Sequence, residues 1–337
     1  MAGMNAYELR PGDPDHALVL ADRARAALGP HDVRVRVRAV SLNYRDLAIL
    51  RGARTRKAPV VPLSDGAGEV IEVGAAVTRW KAGDRVAAGF FPGWHDGRLS
   101  DAHHAQALGG SHDGMLAQEV VLDERAWVAI PRGWSFEQAA TLPCAGVTAY
   151  HALFEAAALR PGDRVLVQGT GGVSIIGLQL ARAAGARVIA TSKSAAKRER
   201  LLGLGAEHVI DYAAVPAWGE AVRAASGGGV DVAIEVGGPG TFDQSVTALR
   251  FGGTLALIGV LTGTRGEVDT HAVMRKLVRV QGVYVGSTTM FEGLVRAVEA
   301  ARIEPIIDQT YSWRDATAAY ARLASGEHFG KIVMTID

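Results

Sequence analysis

Arg164-Val-Leu-Val-Gln-Gly-Thr-Gly-Gly-Val-Ser174, an amphipathic run to Ala184 and then Arg187-Val-Ile-Ala-Thr-Ser-Lys-Ser194 decide the fold of this chain. The order reads as strand, glycine-rich turn, helix and strand, the layout of a dinucleotide-binding βαβ unit. The first strand is a short apolar run, suited to a sheet buried on both faces. Gly169 permits the tight turn, while Gly171 and Gly172 let the backbone approach a pyrophosphate. The helix that follows offers unpaired N–H groups and the positive end of its dipole. Gly169, Thr170, Gly171, Gly172, Val173 and Ser174 are therefore candidate cofactor contacts. Ser174 stands where the pattern expects glycine; it fits a slightly wider helix–strand contact, or donates to a phosphate. The competing reading is a glycine turn that serves only the fold. A nucleoside triphosphate loop is disfavoured, because no Gly-Lys-Ser/Thr follows.

The residues after the second strand bear on the choice of cofactor. Sites that prefer NAD place an Asp or Glu there for the ribose 2′-hydroxyl. This chain has Thr191-Ser192-Lys193-Ser194, with Lys197 and Arg198 beyond. Hydroxyls and cations in that place suit a 2′-phosphate, and charge-assisted hydrogen bonds are the stronger class. NADP(H) is the expected cofactor, with Ser192, Lys193 and Lys197 as contacts. The alternative is a solvated basic helix start.

With 337 residues, two domains are the natural expectation. A net charge of +1 gives no electrostatic case for nucleic acid or acidic membranes. The single cysteine excludes an internal disulfide and a four-cysteine zinc site. No apolar run reaches membrane-spanning length, and the N-terminus lacks the apolar core of a signal peptide, so a cytoplasmic enzyme is expected.

Residues 1–130 read mostly as strands and turns, an irregular β domain. His31-Asp-Val-Arg-Val-Arg-Val-Arg-Ala-Val40 alternates strictly, which predicts Val33, Val35 and Val37 inward and Arg34, Arg36 and Arg38 outward. Residues 66–74 and 84–88 read as further strands. Residues 91–114 form a long loop, read as a pocket lid carrying Trp94. Metal binding by its histidines is disfavoured, because paired thiolates are lacking and the adjacent His103 and His104 point apart in an extended segment.

From about 148 to 286 strands alternate with helices. Strands are predicted at 164–168, 187–191, 208–211, 230–235, 253–258 and 278–285, which make a doubly wound parallel sheet. The last of these lies at an edge, and a long β-rich edge needs a partner. A homodimer through paired sheet edges is therefore expected. Residues 290–302 and 313–325 read as helices. Lys331-Ile-Val-Met-Thr-Ile336 reads as a final strand returning to the first domain.

Several pieces together resemble the medium-chain dehydrogenase/reductase superfamily, in its zinc-independent, quinone-oxidoreductase-like branch. They are Ser41-Leu-Asn-Tyr-Arg-Asp46, Pro62-Leu-Ser-Asp-Gly-Ala-Gly-Glu-Val70, Lys81-Ala-Gly-Asp-Arg-Val86 and Thr141-Leu-Pro-Cys-Ala-Gly-Val-Thr-Ala-Tyr150. They continue with Arg160-Pro-Gly-Asp-Arg-Val-Leu-Val167, the glycine turn, Gly205-Ala-Glu-His-Val-Ile-Asp-Tyr212 and His328-Phe-Gly-Lys331. The resemblance spans nearly the whole chain. It implies a GroES-like, irregular β-barrel catalytic domain (1–147 and 287–337), a Rossmann domain (148–286) and an active cleft between them. Zinc-containing relatives hold the metal by a cysteine, a histidine and a third cysteine or acidic ligand. Here those positions resemble Asn43, Ser64 (followed by Asp65) and Cys144, a poor zinc set, so no zinc is expected. Cys144 is then read as a small residue buried in a tight helix start.

Without zinc, simple alcohol oxidation lacks its electrophile. An acceptor that is already activated, a quinone or an α,β-unsaturated carbonyl compound, asks mainly for alignment with nicotinamide C4 and exclusion of water. Tyr44 is the candidate proton donor or oxyanion contact, and Asn43 the candidate orienting amide. Their structural alternatives are packing for Tyr44 and turn capping for Asn43. Asp46 reads as pinning the backbone or an arginine. The resemblance also implies Thr148 beside the cofactor, Lys197 and Tyr212 at its adenosine phosphate end, and Lys331 near it. Ile258, Val260, Val285 and Ser287 fall at strand ends on the expected nicotinamide side. The other activities in play are an alcohol or aldehyde dehydrogenase, and an NADPH-binding protein with little turnover.

Overall fold

The computed structural model describes residues 3–337. The chain forms two compact units, one from the residues up to Val147 with Val285–Asp337, the other Thr148–Tyr284.

The second unit is a six-stranded parallel sheet. In spatial order its strands are His208–Ile210, Arg187–Thr191, Arg164–Gln168, Val230–Glu235, Leu249–Leu257 and Arg279–Gly282. In chain order the strands run 3-2-1-4-5-6, the arrangement of dinucleotide-binding sheets. Val165, Leu166 and Val167 are all 0 % exposed, as an apolar strand covered on both faces requires. The helix Gly172–Ala183 packs against the central strands, and Gly177 makes the contact close: a Cβ there would stand 2.8 Å from Ile234 Cδ1.

Two strands of this sheet differ from expectation. The fifth begins at Leu249, four residues early, because Gly252 at φ +71 bends the chain and a register shift between Val230 and Val232 absorbs the extra length. The sixth is only Arg279–Gly282, against the predicted 278–285. Leu277 and Val285 both adopt left-handed backbone, at φ +54 and φ +55, and turn the chain out of the strand direction on either side.

The first unit is built on a mixed seven-stranded sheet centred on Asp32–Ser41. That strand pairs antiparallel with Asp65–Val73, Glu119–Asp123 and Lys331–Thr335, so the C-terminal strand does return to this unit. Val33, Val35 and Val37 are buried as predicted. Arg34 is a correction: it is 6 % exposed, not outward in solvent. Its guanidinium donates to Glu72 on the neighbouring strand and to the Ala26 carbonyl, each at 2.8 Å, which satisfies the charge under cover.

Residues 91–114 include one short helix, Asp101–His104. Trp94 is not exposed on a lid. It is 4 % exposed, its indole N–H donates to the Gly97 carbonyl at 2.9 Å, and its ring lies against Phe91. Its carbonyl accepts the Thr288 N–H at 3.0 Å, so the loop is pinned to the start of the helix Thr288–Ala301. Among the described residues no helix is long and apolar enough to cross a membrane.

Candidate active site

In the second unit, Gly169 lies at φ +69 and its N–H donates to the Thr191 carbonyl at 2.8 Å, which ties the turn to the next strand. Gly171 caps the helix Gly172–Ala183 in extended backbone, φ −74 and ψ 173, with no side-chain hydrogen bond at the cap. A Cβ built on Gly171 meets nothing within 4 Å. The cap residue thus borders open space at a helix start, a fit for a dinucleotide pyrophosphate.

Ser174 is a correction as a phosphate donor. Its hydroxyl donates to the Gln168 carbonyl at 2.6 Å and is 1 % exposed, so it locks helix to strand instead. The close approach expected of a third glycine has moved to Gly177.

Beneath the turn lies a network that the sequence reading missed. Glu235, 0 % exposed, ends its apolar strand just before Gly237-Gly238. One carboxylate oxygen accepts the Gly237 and Gly238 N–H groups and the Thr241 hydroxyl, at 2.7, 2.9 and 2.6 Å. The other accepts the Ser245 hydroxyl and Gln168 Nε2, the latter at 2.7 Å. Gln168 belongs to the strand that leads into the glycine turn, so one carboxylate fixes two adjacent strand ends. The Glu235 carbonyl accepts the Ile258 N–H at 2.9 Å, which holds the next strand end, and Val260 beyond it is 46 % exposed. A carboxylate closing an apolar strand before two glycines was the available signal.

After the strand Arg187–Thr191, Ser194 caps the helix Ala195–Gly203 by accepting the Lys197 N–H, and the Ser192 hydroxyl accepts the Ser194 N–H. A carboxylate lies nearby: Asp211, just before Tyr212, accepts Arg198 at 2.7 Å. Its other oxygen accepts the Ala213 and Ala214 N–H groups, and these backbone bonds, the Ala214 one foremost, hold its carboxyl below its usual range. Asp211 is thus spoken for, and it neutralises Arg198. Lys193 and Lys197 stand on the same segment as Arg198, before and within the helix Ala195–Gly203. Thr148 begins this unit and is 2 % exposed.

In the first unit, Asn43 precedes the helix Tyr44–Arg51. Asp46 accepts the Asn43 N–H at 2.7 Å, and the Asn43 side chain faces the N3 backbone in return, so the two close a capping box, as the capping alternative expects, and Asn43 has a further contact besides. Asn43 Oδ1 accepts the ammonium of Lys331 at 2.6 Å, and the same ammonium donates to the Leu42 carbonyl at 2.6 Å. Lys331 is 3 % exposed, which excludes a surface role. Its Nζ lies 4.0 Å from Asp65 Oδ2, which accepts the Cys144 N–H at 3.1 Å, while Asp65 Oδ1 accepts the Ser64 hydroxyl at 2.7 Å. Asn43 Nδ2 is buried and has no partner. Tyr44 is 40 % exposed.

Leu63, just before this cluster, is buried with φ +69, an uncommon strain beside polar groups. Val285, also strained, is 4 % exposed. The Ser287 hydroxyl accepts the Met290 N–H at 3.2 Å as the cap of its helix.

This cluster does not fit zinc. An ammonium already supplies positive charge among Asn43, Asp65 and Cys144. Burial, followed by the nearby Asp65 carboxylate, pushes the Cys144 thiol well up, away from the thiolate that zinc binds. Among the described residues no group of three or more His, Cys, Asp or Glu side chains is gathered to hold a metal ion.

Burial also pushes the Asp46 carboxyl up to about 6 from 3.8, with Arg45 opposing. The folded protein then holds this proton more tightly than the unfolded chain. Stability from this group is full below about pH 4 and is lost as pH rises toward 6, by up to roughly 3 kcal/mol. Asp46→Asn keeps a side-chain acceptor for the Asn43 N–H. It is expected to flatten the pH dependence of urea unfolding between pH 4 and 7; an unchanged slope contradicts the assignment.

Both units meet relatives of one class. Residues 172–300 match the zinc-binding dehydrogenases, and residues 29–132 match the alcohol dehydrogenase GroES-like domain. The chain belongs to the medium-chain dehydrogenase/reductase superfamily and is an oxidoreductase. It is 40 % identical to a zinc-type alcohol dehydrogenase-like protein of Schizosaccharomyces pombe, over 92 % of each chain. It is 30 % identical to the acryloyl-coenzyme A reductase of Metallosphaera sedula, over 90 % of this chain and 92 % of that one. The crystal structure of an alcohol dehydrogenase-like protein from Sinorhizobium meliloti 1021 superposes with a TM-score of 0.93 at 42 % identity, covering 99 % of both chains.

Proposed function

We propose that this chain transfers a hydride from NADPH to the β-carbon of an alkene conjugated to a carbonyl group, without catalytic zinc. The observation that carries the reading is Lys331, whose ammonium takes the cationic place in the Asn43–Asp65–Cys144 cluster. NADPH, when bound, supplies the hydride. The Gly171 helix start receives its pyrophosphate, and Lys193 and Lys197 favour the 2′-phosphate. As hydride adds to the β-carbon, the alkene electron pair moves toward the carbonyl oxygen to give an enolate. Asn43 Nδ2, the unpaired donor, stabilises that oxygen. A proton from Tyr44 or water then reaches the α-carbon and completes the saturated product. Reduction of activated alkenes also suits the likeness to an acryloyl-coenzyme A reductase. A quinone is the same class of acceptor, with a second carbonyl taking the electron pair.

A second reading, alcohol dehydrogenation, is favoured by the name of the Schizosaccharomyces relative. The test is NADPH oxidation by EDTA-treated protein with an enone, an acryloyl thioester, a para-quinone and a saturated aldehyde. Turnover of the enone or thioester and not of the aldehyde is expected. Activity with the aldehyde alone, or none after EDTA, contradicts the proposal.

The reading includes a homodimer through the sheet edge. All four residues of Arg279–Gly282 are exposed, with Leu277 at 73 % and Phe251 at 60 % beside them. Light scattering is expected to give twice the mass of one chain. Val280→Lys, which places a charge on the edge, is expected to shift the protein toward monomer. A wild-type monomer refutes the dimer.

A further inference from the structure

We infer that Lys331 is a positioning residue that fixes the Asn43 side-chain amide with its N–H groups turned toward the acceptor. The inference rests on the proposed alkene reduction and gives that reaction its oxyanion donor. The two ends of an asparagine amide differ only in hydrogen-bonding character, so the neighbours decide which way it lies. Here the Lys331 ammonium, a pure donor, stands 2.6 Å from Oδ1. Flipping the amide would set an NH2 group against an NH3⁺ group, two donors face to face in a buried place. Lys331 itself is held by the Leu42 carbonyl at 2.6 Å and by the Asp65 carboxylate 4.0 Å away. Asp65 is fixed in turn by the Ser64 hydroxyl and the Cys144 N–H. Among the side-chain nitrogen and oxygen atoms of Asn43, Lys331, Asp65 and Ser64, Asn43 Nδ2 is buried without a partner.

A buried donor left unsatisfied is costly unless something accepts from it. The ammonium also draws electron density from the amide oxygen and strengthens the opposite N–H as a donor, as charged partners do along hydrogen-bonded chains. The cation thereby acts on the acceptor through the amide.

The test compares the wild type with Asn43→Asp, Lys331→Met and Asn43→Ala in enone reduction, together with thermal unfolding. Asn43→Asp is close to isosteric and pairs its carboxylate with Lys331, so the fold is expected to keep or gain stability. Its turnover number is expected to fall about 100-fold, the loss seen when one oxyanion donor is removed, with the NADPH KM unchanged. Lys331→Met is expected to lose turnover to a similar degree. The double variant Asn43→Ala/Lys331→Met is expected to be no worse than the poorer single variant, since the two residues act as one device. Should Lys331→Met fail to fold, Asn43→Asp alone decides. A wild type that reduces the enone together with an equally active Asn43→Asp overturns this inference and leaves the proposed function standing. A wild type that reduces no activated alkene removes both.

Discussion

Gly171→Val is expected to weaken NADPH binding by at least about 100-fold, close to 3 kcal/mol, while leaving the fold intact. The backbone at Gly171, φ −74 and ψ 173, is open to any residue, and an added Cβ meets no atom within 4 Å. Nothing in the folded chain therefore demands glycine there. Valine is a poorer N-cap than glycine, so the helix is expected to lose about 1 kcal/mol, a cost the melting curve reads separately from binding. A branched side chain would instead fill the space in front of the first-turn N–H groups, where the pyrophosphate approaches. Fluorescence titration with NADPH, beside a melting curve, reads both halves. An intact fold that binds NADPH as the wild type does would remove the cradle from the account.

Glu235→Ala is expected to destabilise the nucleotide-binding unit by about 3 kcal/mol or more, because each buried donor left without a partner costs about 1–3 kcal/mol. The carboxylate, 0 % exposed, accepts from two backbone N–H groups, two hydroxyls and one side-chain amide. Removal strands most of these donors. Glu235→Gln is nearly the same size, yet its NH2 end faces donors on either side, so it too is expected to destabilise, by about 1–3 kcal/mol. Because Gln168 and Gly237-Gly238 belong to neighbouring strand ends, both variants are also expected to weaken NADPH binding. Urea unfolding of the two variants checks the order; a neutral Glu235→Gln would mean that the network is not held by charge.

The parts legible in the sequence are those with a strict local grammar. Arg164–Gln168, Arg187–Thr191 and Val230–Glu235 fall where short apolar runs put them, because a strand covered on both faces has little other choice. Gly169 was readable for the same reason, since the turn needs positive φ. What was not readable came from partners distant in sequence. Arg34 follows the alternation of its strand, yet Glu72 and Ala26 fold over it. Ser174 has the chemistry of a phosphate donor, and only the position of the Gln168 carbonyl shows it spent. Trp94 sits in a loop by sequence and in a packed interior by structure. The edge strand was overestimated because the β-rich run 278–285 gives no sign of the left-handed turns at Leu277 and Val285. Asn43 and Lys331 stand 288 positions apart, and their contact gives the amide a partner besides the helix start.

The most direct test is the fate of deuterium from NADPH labelled at the transferring C4 position, given to chelator-treated protein with an α,β-unsaturated thioester. Mass spectrometry and NMR of the product locate the label. The account predicts deuterium at the β-carbon of a saturated thioester and a proton from water at the α-carbon. Deuterium on the carbonyl carbon, or transfer that returns only when zinc is restored, would contradict it.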